Sequence, residues 1–186
     1  MKIHKAFALA YELHREQKRK GTNFPYFVHI LDTAKYLMYE TSDEDIICAG
    51  ILHDCIEDTS LPLDKLGEEF GEKVENLVKF CSEPIKWVNL DGETKKDTWK
   101  ERKKKAIEKI EKGSEEELLV FLADKLSNIL SIEEALIARE NVWMHFNANK
   151  EDVEWYYRSL KDKLKQKLGD RRIFILFSER VERVFG

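Results

Sequence analysis

The chain has 186 residues, 42% of them apolar, enough for one ordinary domain with a sizeable core. Charged residues make up 37% and are well mixed in sign, and a net charge near −4 argues against nucleic acid as the main partner. No uninterrupted apolar stretch is long enough to span a bilayer, and the N-terminus lacks the apolar core of a secretory signal.

Ile3, Phe7, Ala10 and Tyr11 recur at helical spacing, which predicts a first helix to about Gln17. The polar stretch Lys18 to Asn23 ends it, with Gly21 as breaker, and Phe24-Pro25-Tyr26 turns the chain. A second helix follows from about Val28 to Glu40, with Val28, Leu31, Ala34, Leu37 and Met38 as its expected apolar face. Ser42 to Asp45 form an N-cap signature for a third helix that begins with the run Ile46 to Ile51.

That run leads into Leu52-His53-Asp54-Cys55-Ile56-Glu57-Asp58-Thr59, four ionisable side chains within six positions. If the helix continues, His53 and Glu57 share one face and Asp54 and Asp58 the adjacent one, so that one pair holds a cation and the other handles a water. Pro62 opens a short helix that ends near Phe70-Gly71, and another runs from Val74 to Phe80. Residues 83–97, with Pro84 and Asp91-Gly92, read as a loop.

A charged helix is expected from about Thr98 to Lys112, stopped by Gly113. The basic run from Lys95 to Lys112 reads first as a solvated helix face and second as an electropositive rim for a polyphosphate. Ser114 with Glu117 makes a second capping signature, opening a long helix to about Ala138. The chain breaks again near Asn147 and Ala148. A helix from Asp152 to Leu168 and a last amphipathic segment from Ile173 to Val184 complete it.

Nothing alternates with a period of two, and no repeat or linker is visible, so the expected fold is all-α: one helical bundle over 1–186. Cys48, Cys55 and Cys81 form neither a disulfide framework nor a CxxC pair; each lies in an apolar run and is expected as a buried thiol in a reducing, cytoplasmic setting.

The chemistry concentrates in two places. Asp124 interrupts the apolar helix Phe121 to Leu126, with Asn128 and Ser131 following on the same face. A carboxylate placed there needs a partner: a structural ion pair with Lys125 or an arginine, or a metal. Of five histidines, His4 and His145 read as surface or satisfied residues. His29 lies on an otherwise apolar helix side and reads as a core or capping residue or as a ligand. Taken together, His29, His53, Asp54 and Asp124 offer two imidazoles and two carboxylates without a thiolate, a set that suits Mn²⁺, Fe²⁺ or Zn²⁺ better than Ca²⁺.

The ordered pattern His29…His53-Asp54…Asp124 resembles the HD-domain phosphohydrolase superfamily, an all-helical metal-dependent fold. Within it, His53-Asp54-Cys55-Ile56-Glu57-Asp58-Thr59 resembles the HDxxEDT motif of the RelA/SpoT-type alarmone hydrolases. Arg19-Lys20, Gly21, Pro25-Tyr26 and His29 are similar to that group's RK…G…PY…H segment. Phe70-Gly71 to Val78 is similar to FGxxVxxLV, and Leu122 to Asn128 to LAD(K/R)LxN. The matches run in family order over roughly 5–135, leaving helices at about 149–186. Ile30 departs from the proline usual after the first metal histidine.

The resemblance implies a stand-alone small hydrolase that removes pyrophosphate from the 3′ position of ppGpp or pppGpp. Mn²⁺, with Fe²⁺ or Zn²⁺ as alternatives, would be held by His29, His53, Asp54 and Asp124. Glu57 and Asp58 would orient and activate water, and Arg19, Lys20, Asn128 and Ser131 would line the nucleotide site. The partner implied is a small-molecule nucleotide, not a membrane or nucleic acid. An HD-type enzyme for another nucleotide and a non-catalytic nucleotide-binding regulator are the alternatives.

Overall fold

The computed structural model describes residues 1–82 and 98–186, and the expected 83–97 loop lies outside them. The described residues are helical, with no strand; Lys18 and Pro25 form one isolated antiparallel bridge. In chain order the helices are α1 (Lys2–His14), α2 (Phe27–Glu40), α3 (Glu44–Leu52), α4 (Cys55–Asp58), α5 (Leu63–Phe70), α6 (Glu72–Cys81), α7 (Trp99–Ile110), α8 (Glu115–Ile137), α9 (Lys150–Leu168) and α10 (Arg172–Phe185). A 3₁₀ turn, Val142–His145, precedes α9.

The longest helix, α8, is the axis. Ser114 caps it: Glu117 N donates to Ser114 Oγ at 3.3 Å, and Ser114 N donates to Glu117 Oε2 at 2.7 Å. From Leu118 to Leu126 nearly every side chain is buried, so α8 is apolar all round and needs neighbours on all sides. It obtains them from α2, α3, α6, α9 and α10. α3 has a second apolar run, buried from Ile46 to Leu52, and starts where Asp43 accepts from Asp45 N at 2.8 Å. Asn149 caps α9 in the same way, accepting from Asp152 N at 2.7 Å, so that helix begins at Lys150, slightly before the expected Asp152.

Two sequence expectations are corrected. The first concerns α2, whose buried face is His29, Ile30, Thr33, Ala34 and Leu37, whereas Val28, Leu31 and Met38 are exposed. The helix is rotated so that Ile30, where the family pattern has proline, is fully buried and His29 points inward with it. The second concerns the His53-Asp54 run, which is not one helix. α3 ends at Leu52, His53 and Asp54 (φ −95°, ψ −5°) form the corner, and α4 is a single turn. Asp54 is the residue from which α4 starts, with Asp58 N donating back to its carbonyl at 3.0 Å.

Two glycines set close approaches. A Cβ on Gly50 would fall 2.1 Å from Leu37 Cδ1, so the Leu37 side chain of α2 packs directly on the α3 backbone just before the corner. Gly21 has φ +77°, and a Cβ there would fall 2.5 Å from the His145 ring, which seats the 17–26 loop against the 3₁₀ turn. The thiols of Cys48 and Cys55 are buried, and burial pushes them up to about 11 and about 12; Cys81, partly accessible, is likewise pushed up to about 12. The raised values favour the protonated thiol at all three positions.

Leu122, fully buried in the middle of α8, reports on this core. Leu122→Ala is expected to lower unfolding free energy by about 2–5 kcal/mol, as measured by urea denaturation with an unchanged m-value.

Candidate metal centre

Three helix-borne segments bring the four sequence-predicted ligands to one point. α2 supplies His29, the α3–α4 corner supplies His53 and Asp54, and α8 supplies Asp124. Donor atoms of His29, His53 and Asp124 lie within 4.8 Å of one another. His29 Nε2 is 3.2 Å from His53 Nε2 and 3.4 Å from Asp124 Oδ1. Asp54 Oδ2 joins them, 2.8 Å from His53 Nε2 and 3.5 Å from His29 Nε2. Both histidines are buried, while the Asp54 side chain keeps 19% of its surface, so the cluster opens on the Asp54 side.

Each member has its own support. His53 Nδ1 is 2.8 Å from the Gly50 carbonyl; a carbonyl only accepts, so Nδ1 carries a proton and Nε2 faces the cluster. His29 Nδ1 is 2.8 Å from Ser127 Oγ, an arrangement that likewise leaves Nε2 facing the cluster. The Tyr26 hydroxyl donates to Asp54 Oδ2. Asp124 receives Lys125 Nζ on Oδ2 and Asn128 Nδ2 on Oδ1. Of the alternatives weighed for Asp124, the ion pair with Lys125 is present on one oxygen, while the other oxygen faces the histidines.

The electrostatics favour a positive charge at the centre. Burial alone would raise Asp54, but His53 and hydrogen bonds from His29 and His53 hold it well below the usual carboxylate range. Burial likewise opposes the charge on Asp124, yet Lys125 and the two histidines hold it well below. Burial would lower His53, but Asp54 and Asp124 push it well above its ordinary value. Burial and the Asp54 charge push the Tyr26 phenol upward, so it remains a donor. The imidazole Nε2 atoms and the carboxylate oxygens face one another across shared protons, which a divalent ion would replace, and this borderline N/O set fits a divalent transition ion.

Around the cluster stand the remaining predicted residues. Glu57 and Asp58 are exposed on α4, immediately beyond Asp54, and Gln17 Nε2 donates to the Asp58 carbonyl at 3.0 Å. One Arg19 nitrogen donates to Asn128 Oδ1 and Ser131 Oγ, both at 3.0 Å. These three residues therefore meet across the loop and α8. Lys20 is exposed beside Arg19 on the same loop. On α9, Tyr156 and Tyr157 are buried, Tyr157 against Phe177 and Phe185, and both also act electrostatically on Lys125.

The sequence reading gave no supporting role to Tyr26, Ser127 or His14, although Tyr26 and Ser127 lie within the matched motifs. Tyr26 precedes His29 by three positions and Ser127 follows Asp124 by three, one helical turn in each case, which was the available signal. His14 is buried, with Nδ1 2.7 Å from Gln17 Oε1 and Nε2 3.6 Å from Cys55 Sγ, and only tertiary packing reveals it.

This fold and cluster define a class, and the family model for the HD domain matches residues 6–154: the chain belongs to the HD-domain family. Among relatives, a Mycoplasma pneumoniae protein named "Probable guanosine-3′,5′-bis(diphosphate) 3′-pyrophosphohydrolase" is 35% identical over 162 residues, covering 83% of this chain and 20% of its own length. The chain spans about a fifth of the length of such curated relatives. A crystal structure from Listeria monocytogenes is 30% identical with a TM-score of 0.73, covering 89% of this chain and all of that one. A metazoan ortholog of SpoT that hydrolyses ppGpp has the same fold, with a TM-score of 0.77 at 24% identity, covering 98% of this chain and 94% of its own.

Lys125 carries a prediction of its own. In the metal-free protein, Lys125→Met strips a buried carboxylate of its ammonium partner and is expected to cost about 3 kcal/mol. The double variant with Asp124→Asn should lose less than the sum of the two single losses, measured by chemical denaturation in chelator.

Proposed function

We propose that this chain hydrolyses the 3′-pyrophosphate of guanosine alarmones, converting ppGpp or pppGpp to GDP or GTP with release of pyrophosphate. The observation that carries the proposal is the meeting of His29, His53, Asp54 and Asp124 at one point, with Glu57 and Asp58 one turn beyond it. The name of the M. pneumoniae relative, at 35% identity across most of this chain, supports the choice of substrate.

In this reading His29, His53, Asp54 and Asp124 hold a divalent ion, Mn²⁺ by preference and Fe²⁺ or Zn²⁺ as alternatives. When bound, that ion supplies Lewis acidity and lowers the pKa of a water. Glu57 and Asp58 lie on the open, exposed side, where they orient the attacking water and accept its proton. The water oxygen bonds to phosphorus, the bond from phosphorus to the ribose 3′ oxygen breaks, and the proton ends on that oxygen. Arg19 meets the nucleotide by forking onto phosphate or stacking on the purine, as a planar guanidinium does better than an ammonium. Asn128 and Ser131 hold Arg19 in place, and Lys20 adds positive charge from the same loop. Most of the catalysis in such a reaction is positioning and charge neutralisation.

Incubation of the purified protein with Mn²⁺ and ppGpp should release GDP and pyrophosphate, and chelator should abolish the release. Asp54→Ala should lose the metal. Glu57→Ala should keep the metal and lose turnover by about 10²–10⁴-fold. Near-wild-type turnover in Glu57→Ala would contradict its assignment. Intact ppGpp beside bound metal would point to an HD-type enzyme for another nucleotide, and intact ppGpp without metal to a nucleotide-binding regulator.

A further inference from the structure

Tyr26 is one of the residues outside the four proposed ligands that touch the cluster, and it does so with both halves of its side chain. Its hydroxyl donates to Asp54 Oδ2, the oxygen that lies 2.8 Å from His53 Nε2 and 3.5 Å from His29 Nε2. The hydroxyl therefore governs which direction of that oxygen remains for a cation. Its ring lies against His14 on one side, centroids 5.1 Å apart, and meets His29 edge-on at 5.4 Å. The Arg19 guanidinium carbon stands 5.9 Å from the same ring centroid.

The backbone gives Tyr26 no freedom to move alone. Its N–H donates to the Gln17 carbonyl at 2.9 Å, closing the 17–26 loop, and its own carbonyl accepts from His29 N at 2.9 Å, opening α2. Arg19 also donates to Asn128, whose amide nitrogen donates to Asp124. Both carboxylates of the cluster are thus one residue away from Arg19, Asp54 through Tyr26 and Asp124 through Asn128.

We infer that Tyr26 is a positioning residue that joins the metal half of the site to the nucleotide half, its hydroxyl orienting Asp54 and its ring backing Arg19. The inference rests on the metal and nucleotide reading above. It assigns the two halves of one side chain to two separable tasks. Outer partners of metal ligands commonly matter about 10–100-fold in metal affinity. A guanidinium over an aromatic ring is worth about 2–5-fold in binding at an accessible site.

Two variants separate the halves. Tyr26→Phe keeps the ring and removes the hydroxyl; Tyr26→Leu removes both. Mn²⁺ affinity is measured on chelator-stripped protein by the electron paramagnetic resonance signal of free Mn²⁺, with no nucleotide present. Folding is checked by thermal denaturation of the same samples. Tyr26→Phe is expected to bind Mn²⁺ about 10–100-fold more weakly, to keep the wild-type KM for ppGpp at saturating Mn²⁺, and to recover kcat as Mn²⁺ is raised. Tyr26→Leu is expected to show the same metal defect and, in addition, a KM about 2–5-fold higher.

Unchanged Mn²⁺ affinity in a folded Tyr26→Phe overturns the hydroxyl's task. Equal KM in Phe and Leu variants overturns the ring's task. If wild-type protein leaves ppGpp intact, the substrate reading fails on its own: the metal arm still reads the hydroxyl, and equilibrium binding of GDP to the two variants reads the ring, with no binding to wild type overturning that half.

Discussion

Two carboxylates and two imidazoles face one another in a space largely closed to water, with His29 Nε2 and His53 Nε2 only 3.2 Å apart. Groups of this kind separate or neutralise unless something holds them, because burial removes the solvent that would screen them. The fold meets that constraint from outside the cluster. Gly50 O and Ser127 Oγ face the outer nitrogens of the two rings, Tyr26 holds Asp54, and Lys125 with Asn128 holds both oxygens of Asp124. Every one of these partners comes from α2, α3, α8 or the residue preceding α2, so the packing of those helices and the geometry of the cluster are one problem.

The corner between α3 and α4 is where that problem is solved locally. α3 is buried from Ile46 to its last residue, Leu52, so its C-terminal end lies inside the protein rather than at the surface. A straight continuation would carry Glu57 and Asp58 onward along the same axis. Breaking the helix at His53-Asp54 lets the first of these residues point into the interior and the second face the open side, while α4 takes Glu57 and Asp58 out toward solvent. The close approach of α3 to α2 at Gly50 brings His53 within reach of His29, across the interface of two different helices.

The nucleotide side of the proposed site is built differently, from a loop. Residues 17–26 fold back on themselves through Arg19 N to Phe24 O at 2.9 Å and Tyr26 N to Gln17 O at 2.9 Å, and Gly21 seats the loop tip on His145. This gives Arg19 a defined position although it sits outside any helix, and places its side chain over α8 at Asn128 and Ser131. A loop held at both ends suits a residue that must meet a ligand, whereas the proposed metal ligands stand on packed helices or on the corner between two of them.

Much of this was legible in the residues. Capping at Ser114 with Glu117, the helical spacing of α1 and α8 and the placement of Asp124, Asn128 and Ser131 on one face all follow from local rules, and the structure has them. The continuous helix through Asp54 and the outward-facing Val28, Leu31 and Met38 of α2 were misread for one reason. An apolar pattern states that a face is available for burial but not which neighbour turns it inward, and α3 and α8 together selected His29, Ile30 and Thr33. By itself the sequence determined an all-helical chain and which side chains could serve as ligands, since helix periodicity, caps and donor chemistry are local properties. Only the tertiary structure decided that His29, His53, Asp54 and Asp124 meet, and that Tyr26 and Lys125 hold two of them, because distances between side chains on different helices are set by packing across the core and not by spacing along the chain.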